Sequence, residues 1–138
     1  MIPILSRGAR IMSWSCQLIA AAILGQTLFF KFTGAPESRF IFSTLGIEPW
    51  GRYATGILEL IAVILLLNPA TAAIGGLLGM GLMGGAIMGH LTKLGIEVQG
   101  DGGLLFGLAV TVLLTSAIVV AIRRHQLPII GPLLARSM

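Results

Sequence analysis

WGRYATGILELIAVILLLNPATAAIGGLLGMGLMGGAIMGHLTKL, residues 50–94, reads as two apolar runs joined by Asn68-Pro69. Its charged side chains are Arg52, Glu59 and Lys93, and His90 is its one histidine. At 1.5 Å per residue, about twenty residues cross the roughly 30 Å hydrocarbon layer of a bilayer. Proline cannot continue a helix, and asparagine suits a turn. The stretch therefore predicts two spanning helices, 50–67 and 70–94, that are antiparallel neighbours.

Two more apolar runs flank this hairpin, at 11–32 and 102–122. The predicted fold is an all-α membrane protein: one domain of 138 residues, a bundle of four transmembrane helices. Composition agrees. The chain is 56% hydrophobic and 10% charged, against about 25% charged for an ordinary soluble domain, and its mean hydropathy is +0.98. It cannot cover its own surface with polar groups, so its expected partner is the lipid bilayer. Net charge is +4. The basic residues flank apolar runs instead of clustering among aromatics, so nucleic acid is excluded as a partner and the charge reports topology. The single cysteine, Cys16, excludes an intrachain disulfide and any Cys-based cluster; it reads as a small buried hydrophobe. The first run is too long for a signal-peptide core and is read as a permanent span.

Between the first two spans, PESRFIFSTL predicts a short interfacial helix over 36–45, opened by Pro36 and stopped by Gly46. Phe40, Trp50 and Tyr53 fit an aromatic belt there. With the N-terminus inside, the inner side carries Arg7, Arg10, Arg123, Arg124 and Arg136 and no acid. The opposite side carries Lys31, Arg39, Arg52 and Lys93 with Glu37, Glu48, Glu97 and Asp101. The expected location is a bacterial inner membrane, with both termini cytoplasmic. The pattern LGIExxG occurs at 45–51 and again at 94–100. Both copies fall where a helix ends and the chain re-enters the membrane; Gly46 and Gly95 suit a left-handed cap, and Gly51 and Gly100 open the next span. Two readings stay open: an ancestral hairpin repeat, or two independent caps in a leucine- and glycine-rich chain.

The chemistry-bearing residues are few. Glu59 lies nine positions after Trp50, roughly 13 Å along a helix and near the bilayer midplane. A carboxyl there costs about 2.5–3.5 kcal/mol on insertion scales, so it faces the bundle interior, protonated or paired. It reads either as a proton-exchanging or ligand-binding group or as a neutral hydrogen-bonded acid. Arg52, Thr55 and Glu59 share one helix face. His90 lies about one turn from the end of its span, on a face with Gly79, Met83 and Ala86. Lys31 reads as a snorkelling cation, and Gln26 sits deeper on another face. Arg123-Arg124 reads as an inner anchor. The candidate ligand-binding set is Gln26, Lys31, Arg52, Glu59 and His90, with Glu59 and His90 the candidate catalytic pair. Gly75 and Gly79, and Gly81, Gly85 and Gly89, form small-xxx-small rows that predict close helix packing; the alternative is a space for a flat ligand. No metal site is expected. Haem would need a second intramembrane histidine, and Met80, Met83, Met88 and His90 lie on one helix without a second soft cluster.

FFKFTGAPESRFIFSTLGIEPWGR (29–52), GILEL (56–60) and GHLTKLGIEVQGDGGLLF (89–106) resemble the DoxX family of small four-helix membrane proteins. With the spacing of the spans, the resemblance covers roughly residues 15 to 125. It implies an accessory subunit of a membrane redox complex, partnered by a redox protein or by further copies of itself. In that reading a quinone is the ligand: His90 bonds a quinone carbonyl, Glu59 exchanges a proton and Arg52 tunes Glu59 or the entrance. The electron-carrying cofactor belongs to the partner. Two alternatives stand beside it, a small proton-coupled transporter or permease, and a non-catalytic assembly subunit.

Overall fold

The computed structural model describes residues 4–127; Arg136, counted above among the inner basic residues, lies outside them. Helix α1 is Arg7–Thr33, α2 Pro36–Thr44, α3 Trp50–Leu67, α4 Ala72–Gly89 and α5 Leu104–Ile122. A π-helical turn, His90–Leu94, closes α4. Four of these elements are long and apolar enough to cross a membrane: Arg7–Thr33, Trp50–Leu67, Ala72–Leu94 and Leu104–Ile122. The protein is a multi-pass all-α bundle.

Local chemistry sets the ends. The Ser6 hydroxyl caps α1 by accepting from the Ala9 N–H at 3.1 Å. Gly34 ends it with φ +67°, and Ala35 N–H donates back to the Phe30 carbonyl at 3.0 Å, a Schellman closure. Pro36 opens α2, as the sequence predicts. Asn68 Oδ1 accepts from Ala70 N–H at 2.9 Å across the α3–α4 turn. Asp101 organises the start of α5. Its carboxylate accepts from the backbone N–H groups of Val98, Gly103 and Leu105 at 3.0, 2.8 and 3.1 Å. Those bonds, the one from Val98 foremost, hold the Asp101 carboxyl below the usual range.

The spans form a ring in which α1 touches α3, α3 touches α4, α4 touches α5 and α5 returns to α1. Both ends of the described chain lie at one end of this ring, since Arg123 after α5 bonds Ser13 of α1. We call this the terminal end. Helix α2 covers the other, touching α1, α3 and the π turn. The core is built from small and medium side chains, among them Ala20, Ala21, Leu24, Ala62, Leu66 and Val112. Only 28% to 39% of each span is buried within the chain. Ile11, Leu18, Phe29, Ile57, Ile64, Leu77 and Ile118 point outward, where lipid is their solvent. In lipid, bundle cohesion comes from close packing and hydrogen bonds between helices.

The glycine rows divide in the structure. A Cβ at Gly75 would lie 2.7 Å from the Leu66 backbone nitrogen of α3, and one at Gly76 2.9 Å from the Ser116 carbonyl of α5. At Gly79 it would meet Ser116 Oγ at 2.9 Å. These are packing glycines. Gly81 and Gly85, expected to pack as well, have nothing within 4 Å of that position. Gly89 sits at ordinary distance from Leu45. The row Gly81–Gly85 therefore leaves space instead of joining helices.

The two LGIE copies also differ. Gly46 takes φ +78° after α2, whereas Gly95 takes φ +80° after the π turn, with an extended ψ of 171°. Gly51 is the second residue of α3, and a Cβ there would lie 2.5 Å from Ile47 Cδ1. Gly100 belongs to a turn, and α5 starts at Leu104, two residues after the expected 102.

Candidate functional site

A cavity of about 530 Å³ occupies the α2 half of the bundle. Leu24, Thr27 and Lys31 of α1, Thr55 and Glu59 of α3, Gly85, Ala86 and His90 of the α4 span, and Leu105 and Ala109 of α5 line it. Ser38 and Phe42 of α2 close its end. Exposed residues, Gln26, Phe30, Gly81 and Leu104, belong to the same lining, so the cavity reaches the outer surface of the bundle. Its walls are mostly apolar.

Within it stands a buried ion pair. Lys31 Nζ lies 3.0 Å from Glu59 Oε1 and 3.1 Å from Oε2. The Glu59 side chain is 2% exposed and that of Lys31 14%. Thr27 Oγ lies 2.9 Å from Glu59 Oε2 and 2.8 Å from the Leu24 carbonyl oxygen. Lys31 was expected to snorkel to the interface; it turns inward instead. The reason is the tilt of helical side chains toward the N-terminus of their own helix. Helix α1 runs toward the α2 end, so Lys31 leans back into the bundle. Helix α3 runs away from that end, so Glu59 leans up to meet it. Thr27 and Lys31, four apart, share the face that receives the carboxylate.

Arg52 does not reach Glu59, contrary to the expected tuning role, and does not line the cavity. Its guanidinium is tied to Glu48, with Nη2–Oε1 and Nε–Oε1 both 2.9 Å. It also donates to the carbonyl of Lys31, the residue whose side chain holds Glu59. Arg52 thus pins the end of α1 to the start of α3 and supports the ion pair through the backbone. Gln26 lines the cavity from an exposed position.

His90 is 6% exposed and stands in the same cavity as Glu59 and Lys31. Its Nδ1 lies 2.9 Å from the Gly95 carbonyl oxygen, and Phe106 meets its ring edge-on, centroids 5.5 Å apart. Thr111 and Thr115 satisfy themselves on the preceding turn, at 2.8 Å to Gly107 and Thr111 carbonyls, as expected. Cys16 is buried and unpaired. Among the described residues, no three of His, Cys, Asp and Glu gather as a metal site.

A second polar cluster, unforeseen in the sequence, seals the terminal end. Arg123 was expected to be an interfacial anchor, but it is buried. Its Nε donates to Ser13 Oγ at 2.7 Å and Gln17 Oε1 at 3.1 Å, and its Nη1 to the Pro69 carbonyl at 3.1 Å. Gln17 Nε2 donates to the Leu66 carbonyl at 2.6 Å. Gln126 donates to the Pro69 carbonyl at 2.5 Å and accepts from Ala73 N–H at 3.1 Å. Burial lowers the Arg123 pKa from its ordinary value, and burial together with Arg123 and Arg124 lowers that of His125. Helix face is the signal that could have revealed this cluster. Ser13 and Gln17 share the α1 face of Ala20 and Leu24, and Arg123 extends the α5 row Val112, Ser116, Val119.

Gln26, Lys31, Glu59 and His90 thus border one space, whereas Arg52 stands behind it. No family model, curated protein or solved structure matches this chain.

Proposed function

We propose that the chain is a DoxX-like subunit of a membrane redox complex and that its cavity holds the ring of a quinone-type ligand. One observation carries this reading: a buried Lys31–Glu59 pair borders a largely apolar cavity of about 530 Å³. Small-ligand sites commonly measure about 300–1,000 Å³, apolar with a few placed polar groups. The reach of the lining to exposed Gln26, Phe30 and Leu104 supports entry of a lipid-tailed molecule from the side.

A quinone takes up two electrons and two protons on reduction; here the electrons come from a partner protein. The residues of this chain bind, orient and hold protons. Lys31 Nζ donates to Glu59 Oε2 and lies within ion-pair distance of Oε1; with three hydrogens, the ammonium retains a donor for a ligand oxygen. The Thr27 hydroxyl has one proton and two acceptors within reach. It donates to Glu59 when the carboxylate is ionised and to the Leu24 carbonyl when Glu59 carries the proton. Thr27 thereby accommodates either state of Glu59 without moving the backbone. The arginines of the terminal end, Arg7, Arg10, Arg123 and Arg124, stand without acids there, which supports a cytoplasmic placement of that end in a bacterial inner membrane.

The test is equilibrium binding of a decyl-substituted benzoquinone to the protein in lipid nanodiscs. Gly85→Leu, which fills the cavity from a position with free space, abolishes binding, and Glu59→Gln weakens it. Equal binding by all three proteins ends the proposal. Proton flux into proteoliposomes that depends on Glu59 and on no quinone would favour the transporter reading, to which a buried titratable pair also lends itself.

A further inference from the structure

We propose that the cavity selects a ligand whose ring carries a hydroxyl, and so holds a hydroquinone in preference to the corresponding quinone; this rests on reading the cavity as a quinone-type site. The selecting group is His90. Its Nδ1 is 2.9 Å from the Gly95 carbonyl oxygen. That oxygen only accepts, so the ring proton sits on Nδ1. A neutral imidazole has a single N–H, and Nε2 is then a bare acceptor. It bonds no described residue, and His90, 6% exposed, borders the cavity.

The tautomer is imposed by the chain itself. Gly95 N–H donates to the His90 carbonyl at 2.7 Å, closing the π turn, while the His90 ring donates back to the Gly95 carbonyl. The two residues are tied twice. Gly95 meets this geometry with φ +80° and ψ 171°, a conformation essentially restricted to glycine. Phe106, edge-on to the ring at 79°, limits its rotation. The π turn brings Gly95 beside His90, and the Gly95 carbonyl takes the Nδ1 proton in a hydrogen bond, which leaves Nε2 as the acceptor.

This reverses the expected role of His90 as donor to a quinone carbonyl. A carbonyl oxygen placed at Nε2 would set two acceptors against each other in a desolvated space, leaving both unsatisfied. A phenolic hydroxyl donates to Nε2. The free Lys31 hydrogen serves a carbonyl or a phenol oxygen alike, so Lys31 binds both redox forms and His90 tells them apart. The open wall at Gly81 and Gly85 accommodates a planar ring.

The experiment compares four probes on the detergent-solubilised full chain by anaerobic calorimetry, in buffer at about pH 8, where a histidine is ordinarily neutral. They are the decyl benzoquinone, its hydroquinone, the dimethyl ether of that hydroquinone and n-decanol. The hydroquinone binds about tenfold more tightly than the quinone, the worth of one buried hydrogen bond. The dimethyl ether, with the same ring and no donor, binds no better than the quinone, and decanol binds weakly. His90→Phe removes the preference and keeps residual binding of both redox forms through Lys31. Equal affinity of the native protein for hydroquinone, quinone and ether overturns the inference while leaving the quinone-type site standing. Decanol binding as tightly as the hydroquinone also overturns it, in favour of a lipid hydroxyl. Failure of every ring probe to bind removes the site and the inference together. The ether comparison needs no variant, so a misfolded His90→Phe leaves the test intact.

Discussion

The two ends of this bundle use buried polar groups in opposite ways. At the terminal end, Arg123, Ser13, Gln17, Gln126 and the carbonyls of Leu66 and Pro69 form a hydrogen-bonded lock. At the α2 end, Lys31 and Glu59 satisfy each other yet border a cavity of about 530 Å³. Helix α4 shows the same contrast along its length, since Gly75, Gly76 and Gly79 touch neighbours where Gly81 and Gly85 touch none. One end is built to hold four helices together, the other to hold them apart. A membrane bundle gains little from hydrophobic collapse, so an open end is sustained only if hydrogen bonds and close contacts elsewhere keep the helices in register.

The most severe way to break this division is to unpair the buried ions. Lys31→Met leaves Glu59 without its cation and costs about 3–5 kcal/mol if the carboxylate stays ionised. The double variant Lys31→Met, Glu59→Leu recovers most of that. Denaturant unfolding in mixed micelles measures both, and a double variant no more stable than the single one would show that the pair is not the source of the loss. Next comes the lock. Arg123→Leu strips donors from Ser13, Gln17 and the Pro69 carbonyl and costs about 2–3 kcal/mol. Hydrogen exchange locates the effect: amides around Leu66 to Ala73 and at the ends of α1 and α5 lose protection first, while amides at the α2 end keep theirs.

The glycines sharpen the contrast within one helix. Gly75→Ala drives a methyl into the α3 backbone and destabilises by about 1–3 kcal/mol. Gly85→Ala meets nothing and gains up to about 1 kcal/mol from helix propensity. Thermal unfolding of the two variants reads opposite signs; equal signs would erase the distinction between packing and spacing glycines.

The smallest effect is the pH response outside the spans. Asp101 has a folded pKa below its unfolded value, so its contribution is complete above about pH 3.9, the unfolded reference, and is lost as pH falls through the folded value. Asp101→Asn removes that acid response and costs about 1 kcal/mol, the usual worth of a cap. His125 is lowered as well, and the sign is the same. Its contribution is complete above about pH 6.5 and falls as the medium is acidified below that. A stability profile therefore declines in two separate acid windows, and His125→Phe removes the upper one.

Much of this was legible from residue order. The four spans, the helix opened by Pro36, the turn at Asn68-Pro69 and the inward face of Glu59 all follow from period, length and the cost of a carboxyl in oil. The partner of Glu59 was not legible. Lys31 lies two residues from the end of α1, and a cation near a helix end snorkels as readily as it pairs. Which it does depends on the height of α3 beside α1, where Arg52 donates to the Lys31 carbonyl. Arg123 and Arg124 are adjacent and chemically identical, so composition could not separate them; helix phase does, and only a neighbour offering Ser13 and Gln17 makes burial of Arg123 tolerable.

Residue order alone determined the solvent and the elements, because transfer of side chains into lipid and the breaking of helices by proline and glycine are local energies summed along the chain. The tertiary structure alone decided which glycines pack, which cation meets Glu59 and which ring nitrogen of His90 is tied to the Gly95 carbonyl. Those outcomes depend on distances of about 3 Å between segments, and such distances are fixed by the register of one helix against another.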